Sequence, residues 1–221
     1  MEDKLHKARL GDLLRQGSQE VGVPLENQQI EHFSFYLQEL LEWNKTFNLT
    51  GIRDPEDIVI KHFVDSLTPL PYLEPFGRLL DIGPGAGFPS IPLKIAAPGL
   101  QVQLVEANRK KVSFLKHIVR TLKLHSAIVM QGRIEDVELP GEAFDTIISR
   151  AFAHLEPLVK IVSPLMEPGN TLVAMLGPTT CEDHPKLADC ALAEDLELQR
   201  VVLLELPRGR GGRTLLLFKK M

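Results

Sequence analysis

Asp81-Ile-Gly83-Pro-Gly85-Ala-Gly87-Phe88 is the stretch on which the reading of the fold turns. Apolar Leu79, Leu80 and Ile82 mark residues 78–82 as a short strand, and residues 91–97 read as a helix closed by Pro98-Gly99. A strand that runs through a glycine turn into a helix is a ligand-binding junction, because a backbone without Cβ atoms turns sharply and comes close to a bound group. The spacing excludes a dinucleotide fingerprint: Gly-x-Gly-x-x-Gly would need its third glycine at position 88, where phenylalanine stands.

Outward from this loop, short apolar strands alternate with amphipathic helices. The pattern predicts strands over residues 101–106, 127–130, 144–149 and 171–176, and helices over 109–122, 155–165 and 185–193. Such alternation specifies an α/β domain with a parallel sheet covered on both faces. Two last strands, 198–206 and 214–219, are joined by only seven residues, too few for a crossover helix, so they form an antiparallel hairpin at the end of the sheet. On the amino-terminal side, Ile30, Phe33, Leu37, Leu40 and Leu41 form one helical stripe, and Asp54-Pro55 starts a second helix over 55–67. The expected division is a helical extension over residues 1–74, touching the substrate, and a ligand-binding domain over residues 75–221.

The composition agrees with one globular chain: 221 residues, 44% hydrophobic and 24% charged. A formal net charge of −4 excludes a surface that coats nucleic acid generically, yet allows a local basic patch. Two cysteines, Cys181 and Cys190, cannot form a disulfide framework, and with His184 they match no standard zinc spacing, so no metal is expected. The polar start and the lack of a long apolar run lead to the expectation of a cytoplasmic protein without membrane attachment.

The loop resembles the Asp-x-Gly-x-Gly-x-Gly junction of S-adenosylmethionine-dependent methyltransferases, and the parallel sheet with a terminal hairpin looks like their Rossmann-like class I fold. That cofactor carries a sulfonium, a ribose and an amino-acid tail. Asp81 can meet the tail's ammonium, and Glu106 at the end of the next strand can accept ribose hydroxyls. Glu135 and Asp136 follow the third strand, on the side where methyltransferases hold adenine.

Larger motifs carry a family resemblance. Trp43-Asn-Lys-Thr-Phe-Asn48-Leu-Thr50, His62-Phe-Val-Asp65-Ser66, the glycine loop with Phe88-Pro89, Ile91-Pro-Leu, Arg133-Ile-Glu135 and Ser149-Arg150-Ala-Phe-Ala together resemble the bacterial RsmG family, also called glucose-inhibited division protein B. The resemblance implies methyl transfer from S-adenosylmethionine, leaving S-adenosylhomocysteine, to N7 of a guanine in small-subunit (16S) ribosomal RNA. It implies that Asp81, Gly83, Gly85, Gly87, Phe88, Glu106, Ala107, Asn108, Ile134, Glu135 and Arg150 bind the cofactor. Arg150 and Arg133 would have positioning roles in catalysis. Two positions depart from the family pattern: Ser90 stands where glycine is usual, and Leu176 replaces a lysine before Gly177.

Guanine N7 offers a lone pair and carries no hydrogen, so the transfer needs alignment rather than a general base. Asn48, His62 and Ser66 are expected on the substrate side. Arg208, Arg210 and Arg213, set among three glycines, read as an exposed cationic loop able to follow a phosphate backbone. A second basic group, Arg109, Lys110, Lys111, Lys116, Arg120 and Lys123, lies partly on one helix face. Phe88, Phe152 and Trp43 are candidates for stacking an unpaired base, with core packing as the alternative for each. The expected partner is small-subunit RNA or the small ribosomal subunit, met by a monomer. A class I methyltransferase of a small molecule or protein, and a non-catalytic ribosome assembly factor, remain as alternatives.

Overall fold

The computed structural model describes residues 2–139, 143–150, 155–179 and 184–221. Helices α1 (Glu2–Glu20) and α2 (Asn27–Phe47) come first. A helical run follows, made of α3 (Pro55–Ile58), a π-helical segment (Val59–Val64) and α4 (Asp65–Leu67). Strands β1 (Arg78–Ile82), β2 (Gln101–Glu106), β3 (Ala127–Gln131), β4 (Thr146–Ser149) and β5 (Thr171–Leu176) then alternate with α5 (Ser90–Ala96), α6 (Arg109–Thr121) and α7 (Leu155–Val162). After α8 (His184–Leu192) the chain closes with β6 (Leu196–Glu205) and β7 (Gly212–Lys220).

Seven strands form one sheet in the order β3-β2-β1-β4-β5-β7-β6. The first five are parallel, and β7 runs antiparallel between β5 and β6, so the expected terminal hairpin is present. The order steps outward from β1 in both directions, through β2 on one side and β4 on the other. The carboxyl ends of β1, β2 and β4 therefore flank the crevice where open parallel sheets bind ligands.

Local chemistry sets the element ends. The Gln29 side-chain oxygen accepts the Glu26 amide at 2.8 Å and closes the first turn of α2. Asn48, at φ 48°, ends α2 in the left-handed region. Asn44 then binds Thr50 through both the backbone amide and the backbone carbonyl, each at 3.0 Å, and folds the chain back. Asp54 accepts from the Asp57 amide and Pro55 occupies the first turn of α3, as its sequence predicts. The single helix expected over residues 55–67 is interrupted by a π-helical turn, which apolar periodicity does not reveal. The helix expected over 155–165 gives way after Val162 to a 3-10 turn, because Pro164 has no amide hydrogen to continue it.

Apolar side chains fill both faces of the sheet. On one face Phe33, Tyr36 and Leu40 of α2 pack with Phe63, Phe88, Ile91 and Phe114 in a single cluster that also takes in Leu79, Val102 and Leu104. The helices before β1 thus share a core with the sheet. Residues of α7 and α8 cover the other face over Leu80, Ile147 and Leu172. Among the described residues no helix is long and apolar enough to cross a membrane.

Candidate functional site

The glycine junction is held open by its backbone. Gly83, Gly85 and Gly87 have φ of 72°, 61° and 110°, values that side chains strain to adopt. At Gly87 an added Cβ would also lie 2.6 Å from the Tyr36 hydroxyl, which donates to the Ala86 carbonyl and is fully buried. Glu106, at the end of β2, ties the loop to the next helix: its carboxylate accepts the Gly85 amide at 2.9 Å and the Asn108 amide at 2.8 Å. A carboxylate has about four acceptor sites, so capacity remains for hydroxyl donors. Asn108 caps α6, with its side-chain oxygen accepting from Lys110 and Lys111.

Asp81, the last but one residue of β1, is completely buried. One carboxyl oxygen accepts the Ser90 amide at 3.2 Å, while the other has no hydrogen-bond partner. Burial pushes this carboxyl up to about 8, against the lowering effect of the Ser90 hydrogen bonds. Ser90, one of the two positions at which the sequence departs from the pattern it resembles, thus holds Asp81 through its backbone amide.

Arg150, just past β4, reaches the π-helical turn. One terminal nitrogen donates to the Lys61 carbonyl at 2.8 Å and to Nδ1 of His62 at 3.0 Å, and lies 3.4 Å from Asp65. The guanidinium also sits 5.7 Å from the centre of the Phe88 ring. Its other terminal nitrogen is buried and unpartnered. Three buried side-chain atoms here lack a partner, an Asp81 oxygen, the Ser90 hydroxyl and an Arg150 nitrogen, and the first and last are of opposite character.

Beside them opens a cleft of about 300 Å³ lined by Ile82, Gly83, Val105, Glu106, Ala107, Gly132, Arg133, Ile134, Glu135 and Ile161. Six of the residues proposed from sequence, Gly83, Glu106, Ala107, Arg133, Ile134 and Glu135, meet in this one wall. Ile134 is buried there, whereas Arg133 and Glu135 are exposed at its rim.

The structure corrects several expectations on the substrate side. Ser66 is fully buried and donates to the His62 carbonyl, so its hydroxyl closes a helical turn and does not face a substrate. His62 is buried as well: it stacks on Phe88 with ring centres 4.4 Å apart and hydrogen-bonds Thr50 at 2.7 Å. The arginine loop is not a free cationic strand. Arg210 pairs with Asp57, Arg213 with Asp65 at 3.1 Å and Arg208 with Glu56 at 3.5 Å, because the hairpin tip docks against the acidic first turns of α3 and α4. Trp43 packs on Phe114 and His117. Asn48 is exposed. Phe152 and Cys181 lie outside the described residues. Among the described residues no three His, Cys, Asp or Glu side chains gather as metal ligands.

Sequence reasoning missed Tyr36, Asp65 and Thr50 as parts of the site. Tyr36 is hidden in the apolar stripe of α2, and its one polar atom is the only trace. Asp65 was in view inside the His62–Ser66 motif, but its pairing with Arg150 and Arg213 joins three distant segments.

The chain matches the family model described as rRNA small subunit methyltransferase G over residues 29–209. It is 35% identical to Ribosomal RNA small subunit methyltransferase G of Alkaliphilus oremlandii over 217 residues, 96% of this chain and 91% of that one. To the protein of the same name from a Geobacter species it is 41% identical over 173 residues, 78% and 80% of the two chains. Among solved structures, M. jannaschii TYW2 in complex with AdoMet superposes with a TM-score of 0.56 at 15% identity, covering 72% of this chain and 76% of that one. Aeropyrum pernix fibrillarin with bound S-adenosyl-L-methionine gives 0.52 at 18% identity, covering 65% and 66%. These two share the fold.

Proposed function

The chain belongs to the rRNA small subunit methyltransferase G family, and on that premise we propose that it transfers a methyl group from S-adenosylmethionine to N7 of a guanine in small-subunit ribosomal RNA. The observation that carries the reading is the pair of orphaned groups. A zwitterionic amino-acid tail brings an ammonium and a carboxylate, the partners that a buried carboxyl oxygen and a buried guanidinium nitrogen lack. The residues present therefore fit the cofactor. Asp81 would take the ammonium, Arg150 the carboxylate, Glu106 with Ala107 and Asn108 beside it the ribose, and Ile134 with Glu135 the adenine.

When bound, S-adenosylmethionine supplies an electrophilic methyl group on a positively charged sulfur. The chain's own residues supply position. Gly83, Gly85 and Gly87 let the backbone approach closely, and Tyr36 and Glu106 hold that backbone from both sides. Phe88, stacked on His62 and on the Tyr36 ring, forms an apolar wall that excludes water. No residue has to remove a proton, since guanine N7 carries none. His62 suits this chemistry: its ring is held neutral and both nitrogens are engaged within the protein. A cation placed against N7 itself would oppose the charge that the product guanine gains, so Arg150 acts on the cofactor tail. The helices before β1 carry His62, Tyr36 and Asp65, which pack on Phe88 and Arg150, so residues 1–74 brace the cofactor side of the site from within. A ribosomal substrate is met in the cytoplasm, and a monomer suffices, since every residue assigned to the site comes from one chain.

The test is incorporation of labelled methyl from S-adenosylmethionine into small ribosomal subunits, free small-subunit RNA and total protein. Label in RNA supports the assignment. Label in protein or small molecules alone would replace it with another class I methyltransferase activity, and binding of subunits without label would make it an assembly factor.

A further inference from the structure

Phe47, in the last turn of α2, leaves 36% of its surface exposed, although its neighbour Trp43 is covered by Phe114 and His117. Trp43 and Phe47 lie with ring centres 5.4 Å apart. Lys110 Nζ lies 5.9 Å from the centre of the Phe47 ring. Lys110 is exposed, and so is Arg109, the residue before it in the first turn of α6. Lys111 Nζ lies 3.8 Å from where a Cβ on Gly85 would sit, so this group borders the glycine junction.

These cations differ from those of the hairpin. Arg208, Arg210 and Arg213 each meet a carboxylate. Among the described residues none of Arg109, Lys110 and Lys111 does so within 4.0 Å. Nor do they serve their own helix. Three cations and no acid in the first turn of α6 oppose the helix macrodipole, which favours negative charge there. An acidic chain has thus left three consecutive cations without a carboxylate partner, one of them over a ring about one third exposed, at the end of the sheet where the ligand crevice opens.

We infer that Phe47, Arg109 and Lys110 form a docking surface for a single-stranded segment of the RNA substrate, with a base stacked on Phe47 and its flanking phosphates on the two cations. This rests on the proposed RNA reaction and specifies the part of the chain that meets the strand. The chemistry is that of single-strand recognition: an aromatic platform accepts any base face, and nearby cations follow the backbone. A duplex keeps its bases stacked inside and has no face to offer the ring. The hairpin arginines, neutralised from within, have no part in it.

Binding of the full chain to free small-subunit ribosomal RNA, and to a perfectly paired RNA duplex, is measured over a range of salt for the wild type, Phe47→Ala, Phe47→Tyr and the double variant Arg109→Ala/Lys110→Ala. Phe47→Ala is expected to weaken binding to the ribosomal RNA about tenfold, with Phe47→Tyr near wild type. The double variant is expected to reduce the slope of log affinity against log salt by about 1.4, near 0.7 per lost contact on a single strand. Duplex binding should not change with Phe47→Ala, and S-adenosylmethionine affinity should stay at the wild-type value in every variant, which establishes that the site is intact. Wild-type affinity and salt slope in both the Phe47→Ala and the double variant would overturn the inference, as would an equal loss on the duplex. A wild type that binds RNA with these dependences yet transfers no methyl removes the proposed reaction and leaves the surface. A wild type that methylates RNA while the variants bind unchanged removes the surface and leaves the reaction.

Discussion

Arg150 donates to Nδ1 of His62 across 3.0 Å, and this fixes the imidazole as the tautomer that carries its hydrogen on Nε2, facing Thr50 at 2.7 Å. The ring lies against Phe88. Burial first, and the Arg150 charge second, push His62 down to about 3. The histidine of the site is therefore a neutral acceptor that orients an arginine. It is not an imidazolium acid at neutral pH, in keeping with a reaction that needs no proton transfer.

Stability carries the mark of this histidine. Its folded-state value lies below the ordinary 6.5, so the unfolded chain binds a proton that the folded chain refuses. The stability it contributes is complete above about 6.5 and is lost as pH falls toward 3, at no more than about 1.4 kcal/mol per pH unit. The difference in unfolding free energy between wild type and His62→Asn should shrink from pH 7 to pH 4 in denaturant titrations. A constant difference would show that the ring is charged or exposed.

Asp81 predicts a proton released on cofactor binding. Burial holds its carboxyl near 8, so it is mostly protonated at pH 7 without a partner, and pairing with an ammonium ionises it. Affinity for S-adenosylmethionine should rise with pH between 6 and 7, at most about tenfold. Binding heats measured by calorimetry at pH 7 in two buffers of different ionisation enthalpy should differ by close to one proton's worth. Asp81→Asn should abolish that difference. Heats independent of buffer in the wild type would remove Asp81 from the ammonium.

Arg150→Lys should fail where a simple charge would suffice. The guanidinium serves the Lys61 carbonyl, His62 and Asp65 with one nitrogen and leaves the other for a ligand, a reach that a single ammonium lacks. Truncating such a buried, hydrogen-bonded charge costs about 2–5 kcal/mol of binding, so Arg150→Ala should weaken S-adenosylmethionine by about thirtyfold or more by the same principle. The fold should survive, since Asp65 keeps Arg213. The measurements are equilibrium binding and a melting curve, and full affinity in a folded Arg150→Ala protein would contradict the role.

The hairpin arginines should behave as fasteners. Arg208→Ala and Arg210→Ala remove partly exposed ion pairs worth about 0.2–1 kcal/mol each. Arg213→Ala strips one of two partners from the buried Asp65 and should cost the most in thermal unfolding. The salt dependence of RNA binding should not change in any of the three.

The contrast shows what sequence can and cannot reveal here. Asp81, the three glycines and Glu106 lie on one strand-turn-helix unit and the end of the adjacent strand, so spacing alone brings them together, and the parallel sheet with its terminal hairpin follows from the same alternation. The roles of Arg213, His62 and Ser66 depend on contacts across separations that no local pattern records. Arg213 reads as free in sequence because its carboxylate partner is 148 positions away. Ser66 and His62 sit on a helical run whose π turn changes which side chains face inward, and periodicity assumed a regular helix. Phe47 lies inside the Trp43–Thr50 motif with nothing in the sequence to mark it, because exposure belongs to the packed molecule.

Gly87→Ala separates the junction's backbone from its ligand chemistry. With φ of 110° and a Cβ 2.6 Å from the Tyr36 hydroxyl and 2.7 Å from Ile91, the variant combines strain with overpacking. The loss should be about 2–6 kcal/mol of unfolding free energy, from about 1–3 for each effect. Gly51→Ala, at a position with open space and no positive φ, should be silent. Similar stabilities for the two would contradict the packing described.

The central claim is a methyl group placed on guanine N7 of small-subunit ribosomal RNA. N7-methylguanosine cleaves the strand under reduction and aniline, so its position can be mapped in RNA from cells with and without this gene. One N7-methylguanosine in the small-subunit RNA should disappear with the gene and return with the wild-type chain, but not with Arg150→Ala. An unchanged map on loss of the gene would contradict it.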